Sequence, residues 1–129
     1  MVCIDTDFMI AYIRGQQAVK IQLDEFIKRE EPIHTTMINV AELYWGAFGA
    51  DYMHEEIAKV EEMLDSLFIL NLDRNSAKIA GDIYNKTKSS PIGESDILIA
   101  SIAMANGQTL LTRNARHFER VQGLKVESW

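Results

Sequence analysis

The apolar and polar residues of this chain alternate between two kinds of pattern. Short apolar runs are typical of buried strands, and between them apolar residues recur three and four positions apart, as on one face of a helix. The predicted strands cover residues 1–4, 33–35, 68–72, 109–111 and 124–126. The predicted helices cover 8–14, 18–29, 36–49, 51–66, 73 or 75 to about 88, and 96–106, with a helical turn at 114–118. This order predicts an α/β layer fold with a mainly parallel sheet and right-handed crossovers.

The chain shows no sign of division into separate units. Its 129 residues contain no Pro/Ser/Gly-rich linker, low-complexity tract or internal repeat. A chain of this length buries about two thirds of its unfolded surface, which is enough for an ordinary hydrophobic core. We therefore expect residues 1–129 to form a single domain.

The predicted helix over 96–106 is apolar on nearly every side, so we expect it to be packed inside the protein. Its first residue, Asp96, would then lie beside the interior. An unpaired buried carboxylate is costly unless a cation or hydrogen bonds compensate it. The alternative interpretation is that Asp96 only complements the dipole of its helix.

Four oxygen-bearing side chains lie near the carboxyl ends of the predicted strands. They are Asp5 at the end of the first strand, Glu42 in the helix after the second, Asp96 in the helix before the fourth, and Asn114 after the fourth. Parallel sheets place their sites outside the carboxyl ends of strands, where the strand order reverses. We therefore expect these four side chains to converge on one cleft.

Three carboxylates and an amide oxygen are hard ligands, which suit Mg²⁺ or Mn²⁺ and not Zn²⁺. Carboxylates crowded in one cleft raise each other's pKa unless a cation lies between them. Such a site can activate a water molecule and stabilise the charge that develops during in-line attack on a phosphodiester. Each residue alone also has a structural interpretation: Asp5 or Asp7 as a helix cap, Glu42 as a solvated residue, and Asn114 as a turn residue.

The three histidines show no metal-ligand spacing. We interpret His34 as a core residue, His54 as a surface residue and His117 as part of a basic end of the chain. The only cysteine, Cys3, lies in an apolar run and is expected to be a buried, reduced thiol. With no signal peptide and no apolar run long enough to span a bilayer, the sequence predicts a cytoplasmic protein without a membrane partner.

The net charge of −6 argues against a nucleic-acid partner, but the charge is unevenly distributed. Residues 1–108 contain 9 basic and 17 acidic side chains, whereas residues 109–129 contain 4 basic and 2 acidic ones. Arg113 and Arg116 flank Asn114, so they could hold phosphates beside a metal. The alternative is that Arg116 and Arg120 are ordinary surface residues one helical turn apart.

Four segments carry a resemblance to a known family: MVCIDTDFMI, TTMINVAELYWGA, PIGESDILIASIAMANG and TLLTRNARHFERVQGLKVESW. In order and spacing they resemble PIN-domain nucleases, and within them the VapC-type toxins of prokaryotic toxin–antitoxin pairs. The resemblance implies a PIN-like three-layer α/β/α sandwich with a five-stranded parallel sheet, and Mg²⁺- or Mn²⁺-dependent hydrolysis of RNA. It also implies a homodimer and a cognate VapB-type antitoxin whose tail would lie across the cleft.

Carried over by position, Asp5, Glu42 and Asp96 match the three acids of the family, and Asn114 matches the fourth site. Thr6, Asp7 and Thr112 match supporting polar positions. Many members have Asp at the position of Asn114, and an amide in place of that carboxylate would weaken a second metal position. Asp7 stands where many have Asn, and Glu94 adds an acid near Asp96.

Two other functions remain open from the sequence. Asp5 and Asp7 form an Asp-x-Asp motif after a strand, as in phosphotransferases of the haloacid-dehalogenase type. A PIN-like domain that binds RNA or protein without cutting is the second alternative. For the homodimer, exposed aromatics such as Tyr12, Tyr44 and Trp45 are candidates for a twofold interface, with Trp45 in the core as the alternative.

Overall fold

All five strands of the sheet run parallel in the computed structural model, which describes residues 1–129. The strands are β1 (Val2–Ile4), β2 (Ile33–Thr36), β3 (Phe68–Leu70), β4 (Thr109–Leu111) and β5 (Val126–Glu127). The helices are α1 (Thr6–Ile13), α2 (Gln17–Lys28), α3 (Met37–Phe48), α4 (Met53–Leu64), α5 (Arg74–Lys86), α6 (Glu94–Ala105) and α7 (Ala115–Phe118). The α/β fold predicted from the sequence is therefore confirmed.

The strand order is β3-β2-β1-β4-β5, which makes β1 the central strand. Cys3 pairs with His34 on one side and with Leu110 on the other. The chain first builds the sheet from β1 towards β3 and then returns to add β4 on the opposite side of β1. The order of the strands therefore reverses between β1 and β4, and their carboxyl ends border the crevice where α/β folds place their sites.

Two hydrophobic clusters pack on opposite faces of the sheet. One cluster includes Ile4 and Leu111 together with Phe8 of α1 and Val60 of α4. The other includes Cys3 of β1 and Leu110 of β4, which directly precede Ile4 and Leu111 in their strands, together with residues of α5 and α6. Successive strand residues point to opposite faces, so a three-residue strand such as β1 supplies both clusters. The result is a three-layer α/β/α arrangement.

Cys3 is fully buried, and burial raises the pKa of its thiol to about 12. This agrees with the expected buried, reduced thiol. His54 is exposed, as predicted, while His34 is only half-buried and lies beside the Phe68 ring at 5.6 Å. Trp45 is 65% exposed, so the interpretation of Trp45 as a core residue is wrong.

Local polar groups set the start of two helices, whereas a third begins without a side-chain cap. Helix α1 begins at Thr6, two residues earlier than predicted, because the Asp5 carboxylate accepts a hydrogen bond from its first N–H. Helix α5 begins after Asp73, which forms a capping box with Ser76 as its N-cap. Helix α6 begins at Glu94, two residues earlier than predicted, and no side chain caps it.

Helix α6 has more buried residues than any other helix, six of its twelve. Its packing against the sheet confirms the predicted interior helix. None of the helices combines the length and the apolar composition that crossing a membrane would require.

Candidate functional site

A buried carboxylate lies at the point where the strand order reverses. Asp5 directly follows β1 and is 7% exposed, and its N–H donates to the carbonyl of Leu111 at the end of β4. Thr112, fully buried, donates its hydroxyl to Asp5 Oδ2 at 2.6 Å. The central strand and its neighbour thus fix both residues at the carboxyl edge of the sheet.

The other oxygen of Asp5 is held by helices α1 and α3. Oδ1 accepts the N–H of Thr6 at 2.9 Å and the side-chain amide of Asn39, on α3, also at 2.9 Å. Asp5 is therefore a helix cap, as one interpretation of the sequence held, and the same carboxylate lies at the centre of a network that joins β4, α1 and α3.

Asn39 connects Asp5 to Glu42. Its amide nitrogen donates to Asp5 and to the Thr6 hydroxyl at 2.9 Å, and that hydroxyl donates to Glu42 Oε1 at 2.7 Å. The amide oxygen of Asn39 accepts from Thr36, which fixes the orientation of the amide. Glu42 is half-buried and is thus joined to Asp5 through two polar side chains.

Asn39 was missed by the sequence analysis although it is fully buried. A signal was available: Thr36 and Asn39 have the three-residue spacing of a capping box at the end of a strand. The side chain of Asn39 accordingly both caps α3 and orients the Asp5 carboxylate.

Asp7 contacts two distant parts of the chain, the segment after β4 and Trp129. Its Oδ2 accepts the backbone N–H of Arg113 at 3.1 Å and lies 3.3 Å from the Thr112 hydroxyl. Its Oδ1 accepts the indole N–H of Trp129 at 3.3 Å. Asp7 therefore ties α1 to β4 and to Trp129, a contact that the sequence did not indicate.

Asp96, in the first turn of α6, is paired with a histidine. Its Oδ2 lies 2.9 Å from Nε2 of His117, and both side chains are partly exposed. His117, interpreted from the sequence as part of the basic end, is also brought back to the start of α6 by α7, a pairing that the sequence did not indicate. Glu94, two residues before Asp96 on the same helix, is exposed.

Two carboxyl groups of this cleft, those of Asp5 and Asp96, have raised pKa values. The pKa of Asp5 is raised to about 6: burial is the largest cause and the charges of Asp7 and Asp96 add to it, while hydrogen bonds from Thr112 and Thr6 oppose it. Burial also raises the pKa of Asp96, with His117 opposing the shift and Asp7 adding to it. No lysine or arginine forms an ion pair with these three acids. The cleft thus concentrates negative charge with little compensation.

Asn114 lies at the rim of this cleft. It is exposed, its backbone N–H donates to the Thr112 hydroxyl at 3.0 Å, and its side chain makes no capping bond to α7. The neighbouring Arg113 lies with its guanidinium carbon 4.0 Å from the Trp129 ring centroid and donates to Gln16 at 3.3 Å. Arg116 is exposed.

The predicted residues are thus brought to one edge of the sheet, but not into a closed cage. No three His, Cys, Asp or Glu side chains are grouped as a ready-made metal-binding set. Mg²⁺ typically keeps several waters and takes only one or two protein carboxylates. Asp5 and Asp96, whose charges interact across the cleft, suit an open site of this kind.

Comparison with known proteins gives consistent results. Residues 2–124 match the family model of the PIN domain. The chain is 35% identical to Ribonuclease VapC2 of Haemophilus influenzae over 128 residues, covering 98% of this chain and 96% of that protein. It is 33% identical to the tRNA(fMet)-specific endonuclease VapC of Salmonella typhimurium over 94 residues, 71% of each protein.

Solved structures agree with these matches. VapBC2 from Rickettsia felis, bound to a DNA fragment from its promoter, contains a chain that superposes with a TM-score of 0.93 at 26% identity, covering 100% of this chain and 99% of that one. DNA-bound VapBC from Salmonella typhimurium contains a chain with a TM-score of 0.90 at 28% identity, covering 100% and 99%. The chain belongs to the PIN-domain family, in its VapC branch.

Proposed function

We propose that this protein is a Mg²⁺- or Mn²⁺-dependent endoribonuclease that hydrolyses RNA phosphodiester bonds, and that it is the toxin of a VapBC-type toxin–antitoxin pair. The observation that carries the proposal is Asp5, a buried carboxylate beside two other acids at the strand-order reversal. Its pKa is raised mainly by burial and also by the charges of Asp7 and Asp96, and a divalent cation beside it would favour its ionised form. The ribonuclease names of the relatives support the choice of RNA.

In this proposal Asp5 and Asp96 hold the metal ion directly. Glu42 and Asn114 are the remaining residues of the proposed metal site. Glu42 is positioned by its hydrogen bond with Thr6, and Asn114 lies at the rim of the cleft. Bound Mg²⁺ lowers the pKa of a coordinated water and neutralises charge on a phosphodiester during in-line attack. The donors on Asp5, from Thr6, Asn39 and Thr112, favour its ionised form and fix its orientation. Asp7 holds the segment that carries Asn114.

The substrate backbone is held by basic residues in this proposal. Arg113 and Arg116 supply positive charge beside Asn114, in a chain whose first 108 residues are strongly acidic. Phosphate contacts of this kind position a nucleic acid without reading its sequence. Initiator tRNA is the first substrate to assay, because relatives are named as tRNA(fMet)-specific endonucleases.

The proposed partners are a VapB-type antitoxin and a second copy of the chain. Structures of relatives described as VapBC complexes support the antitoxin, whose tail would lie across the acidic cleft. The exposed Trp45, with Tyr12 and Tyr44, is the proposed part of a twofold interface. Since its substrate is RNA, the protein is proposed to act in the cytoplasm.

The test is cleavage of tRNA and of mixed RNA by the purified protein with Mn²⁺, with and without EDTA. We expect cleavage that EDTA abolishes and that Asp96→Asn lacks, although the variant stays folded. RNA binding without cleavage by the wild-type protein would favour the non-enzymatic binding module. A covalent phosphoenzyme would favour the phosphotransferase, but the PIN match spans the Asp5–Asp7 motif and assigns it to a different family.

A further inference from the structure

The pair formed by Asp96 and His117 is part of a larger network at the start of α6. Nε2 of His117 lies 2.9 Å from Asp96 Oδ2 and 2.8 Å from the carbonyl oxygen of Ile92. The edge of the ring also contacts Phe118, a buried residue, at a centroid distance of 5.6 Å. The ring is thus held from several directions beside one oxygen of Asp96.

The second ring nitrogen of His117 determines which nitrogen carries the proton. Nη2 of Arg120 lies 3.1 Å from Nδ1. A guanidinium group can only donate hydrogen bonds, so Nδ1 accepts, and the proton of the neutral ring is on Nε2. Nε2–H therefore donates to Asp96 Oδ2 and to the Ile92 carbonyl. In this tautomer Nε2 has no free lone pair, and His117 does not act as a metal ligand.

Arg120 is itself fixed by the loop before α6. Its Nη1 donates to the carbonyl of Ser90 at 3.0 Å and to the Ser90 hydroxyl, and its Nη2 lies 3.4 Å from the carbonyl of Pro91. The series from Arg120 through His117 to Asp96 is therefore anchored to backbone carbonyls at two points, through Arg120 at Ser90 and through His117 at Ile92.

The network leaves the two oxygens of Asp96 in different situations. Oδ2 accepts from the imidazole, whereas the structure gives Oδ1 no hydrogen-bond donor. Hydrogen bonds from an outer residue to a ligating carboxylate orient it, and removing them commonly weakens metal affinity by about 10- to 100-fold. We propose that His117 is a positioning residue that turns Asp96 so that Oδ1 is presented to the metal ion, with Arg120 fixing the tautomer that allows it. This inference rests on the proposed function.

The first experiment is calorimetric titration of Mn²⁺ into variants of the purified protein, all at the same pH of about 8. We expect His117→Ala to weaken Mn²⁺ binding by about 10- to 100-fold. His117→Gln, whose side-chain N–H can reach the position of Nε2–H, should restore most of the affinity. His54→Ala is the matched control, because it removes an exposed histidine on α4. Wild-type affinity in His117→Ala would overturn the inference, as would equal losses in the Ala and Gln variants.

Asp96→Asn separates this inference from the proposed function. If Asp96→Asn loses Mn²⁺ binding while His117→Ala retains it, the inference fails and the proposed metal site stands. If Asp96→Asn binds Mn²⁺ like the wild-type protein, the proposed metal site fails, and the inference with it.

A second measurement needs no substitution of His117. Long-range ¹H–¹⁵N spectra of the metal-free wild-type protein at the same pH report which ring nitrogen carries the proton. We expect His117 to be the Nε2–H tautomer, and Arg120→Ala to lower the population of that tautomer. A proton on Nδ1 in the wild-type protein would contradict the proposal.

Discussion

The guanidinium group of Arg113 lies over the ring of Trp129, with 4.0 Å between its central carbon and the ring centroid. The indole N–H of Trp129 donates to Asp7 Oδ1 at 3.3 Å, and the ring packs edge-on against the buried Phe8 at 5.5 Å. Trp129 thus joins a proposed phosphate-binding arginine to an acid of the cleft and to the core. A stacked guanidinium has fewer orientations to lose when RNA binds.

Trp129→Ala should therefore weaken RNA binding. A cation–π contact at an exposed site is worth about 0.5–1 kcal/mol, so we expect a loss of roughly two- to fivefold. Trp129→Phe keeps a ring beneath Arg113 and should bind RNA almost normally, although it lacks the bond to Asp7. Binding is measured by fluorescence anisotropy in the Asp96→Asn background, where the RNA stays intact. Tyr84→Ala, an exposed aromatic on α5, is the control.

A loss of RNA affinity in Trp129→Phe as large as in Trp129→Ala would show that the Asp7 bond matters and the stack does not. Unchanged affinity in both variants would remove Trp129 from any role in RNA binding.

The raised pKa of Asp5 predicts how the stability of the metal-free protein depends on pH. The pKa rises from 3.8 to about 6 on folding, mainly through burial, so the folded state binds this proton more tightly than the unfolded state. The free energy of unfolding should therefore fall as the pH rises from about 4 to 6, by about 3 kcal/mol at 1.36 kcal/mol per pKa unit. Below pH 4 this penalty is absent, and above 6 it is fully present.

Chemical unfolding in EDTA over this pH range provides the measurement. Asp5→Asn should flatten the profile between pH 4 and 6, because it removes the titrating group. An unchanged slope in Asp5→Asn would assign the pH dependence to other carboxyls. Mn²⁺ affinity of the wild-type protein should also fall as the pH drops below 6, since the metal and the proton compete for the same carboxylate.

Asn39 is predicted to be critical for stability. Asn39→Ala removes the donor to Asp5 and Thr6 and leaves Thr36 without its capping partner, all in a buried setting. Unsatisfied buried groups cost about 1–3 kcal/mol, and we expect a decrease of that order in the free energy of unfolding. Asn85→Ala, at an exposed position of α5, should change it little. Urea unfolding of the two variants tests this, and equal midpoints would contradict the network described for Asn39.

Some residues of the site could be predicted from the sequence, whereas contacts between side chains distant in the chain could not. Asp5 and Asn114 were found because a parallel sheet brings the carboxyl ends of its strands together, and short apolar runs identify those strands. The bond from Trp129 to Asp7 joins residues 122 positions apart and has no local pattern. The pairing of His117 with Asp96 likewise depends on where the four-residue helix α7 packs, which no periodicity encodes. Long-range side-chain contacts therefore required the structure.

Replacing Arg113 and Arg116 together with alanine tests the role of the basic end of the chain. If both side chains contact RNA phosphates, the variant should bind RNA more weakly and release fewer counterions. For single-stranded RNA the slope of log K against log salt falls by about 0.7 per lost phosphate contact, so the loss of two contacts should reduce it by about 1.4. Metal affinity should be unchanged or slightly higher, because the nearest cations have been removed from a cation site.

The matched control is Lys78→Ala with Lys86→Ala, which makes the same change in net charge at two exposed positions of α5. A general effect of net charge would lower RNA affinity equally in both double variants. Contact at the cleft would lower it only in the arginine variant. A purely structural role of the arginines would appear as a lower melting temperature with an unchanged salt slope. We expect the slope to change, because the first 108 residues carry 17 acidic side chains against 9 basic ones. A polyanion approaching such a surface needs local positive charge in addition to the metal ion.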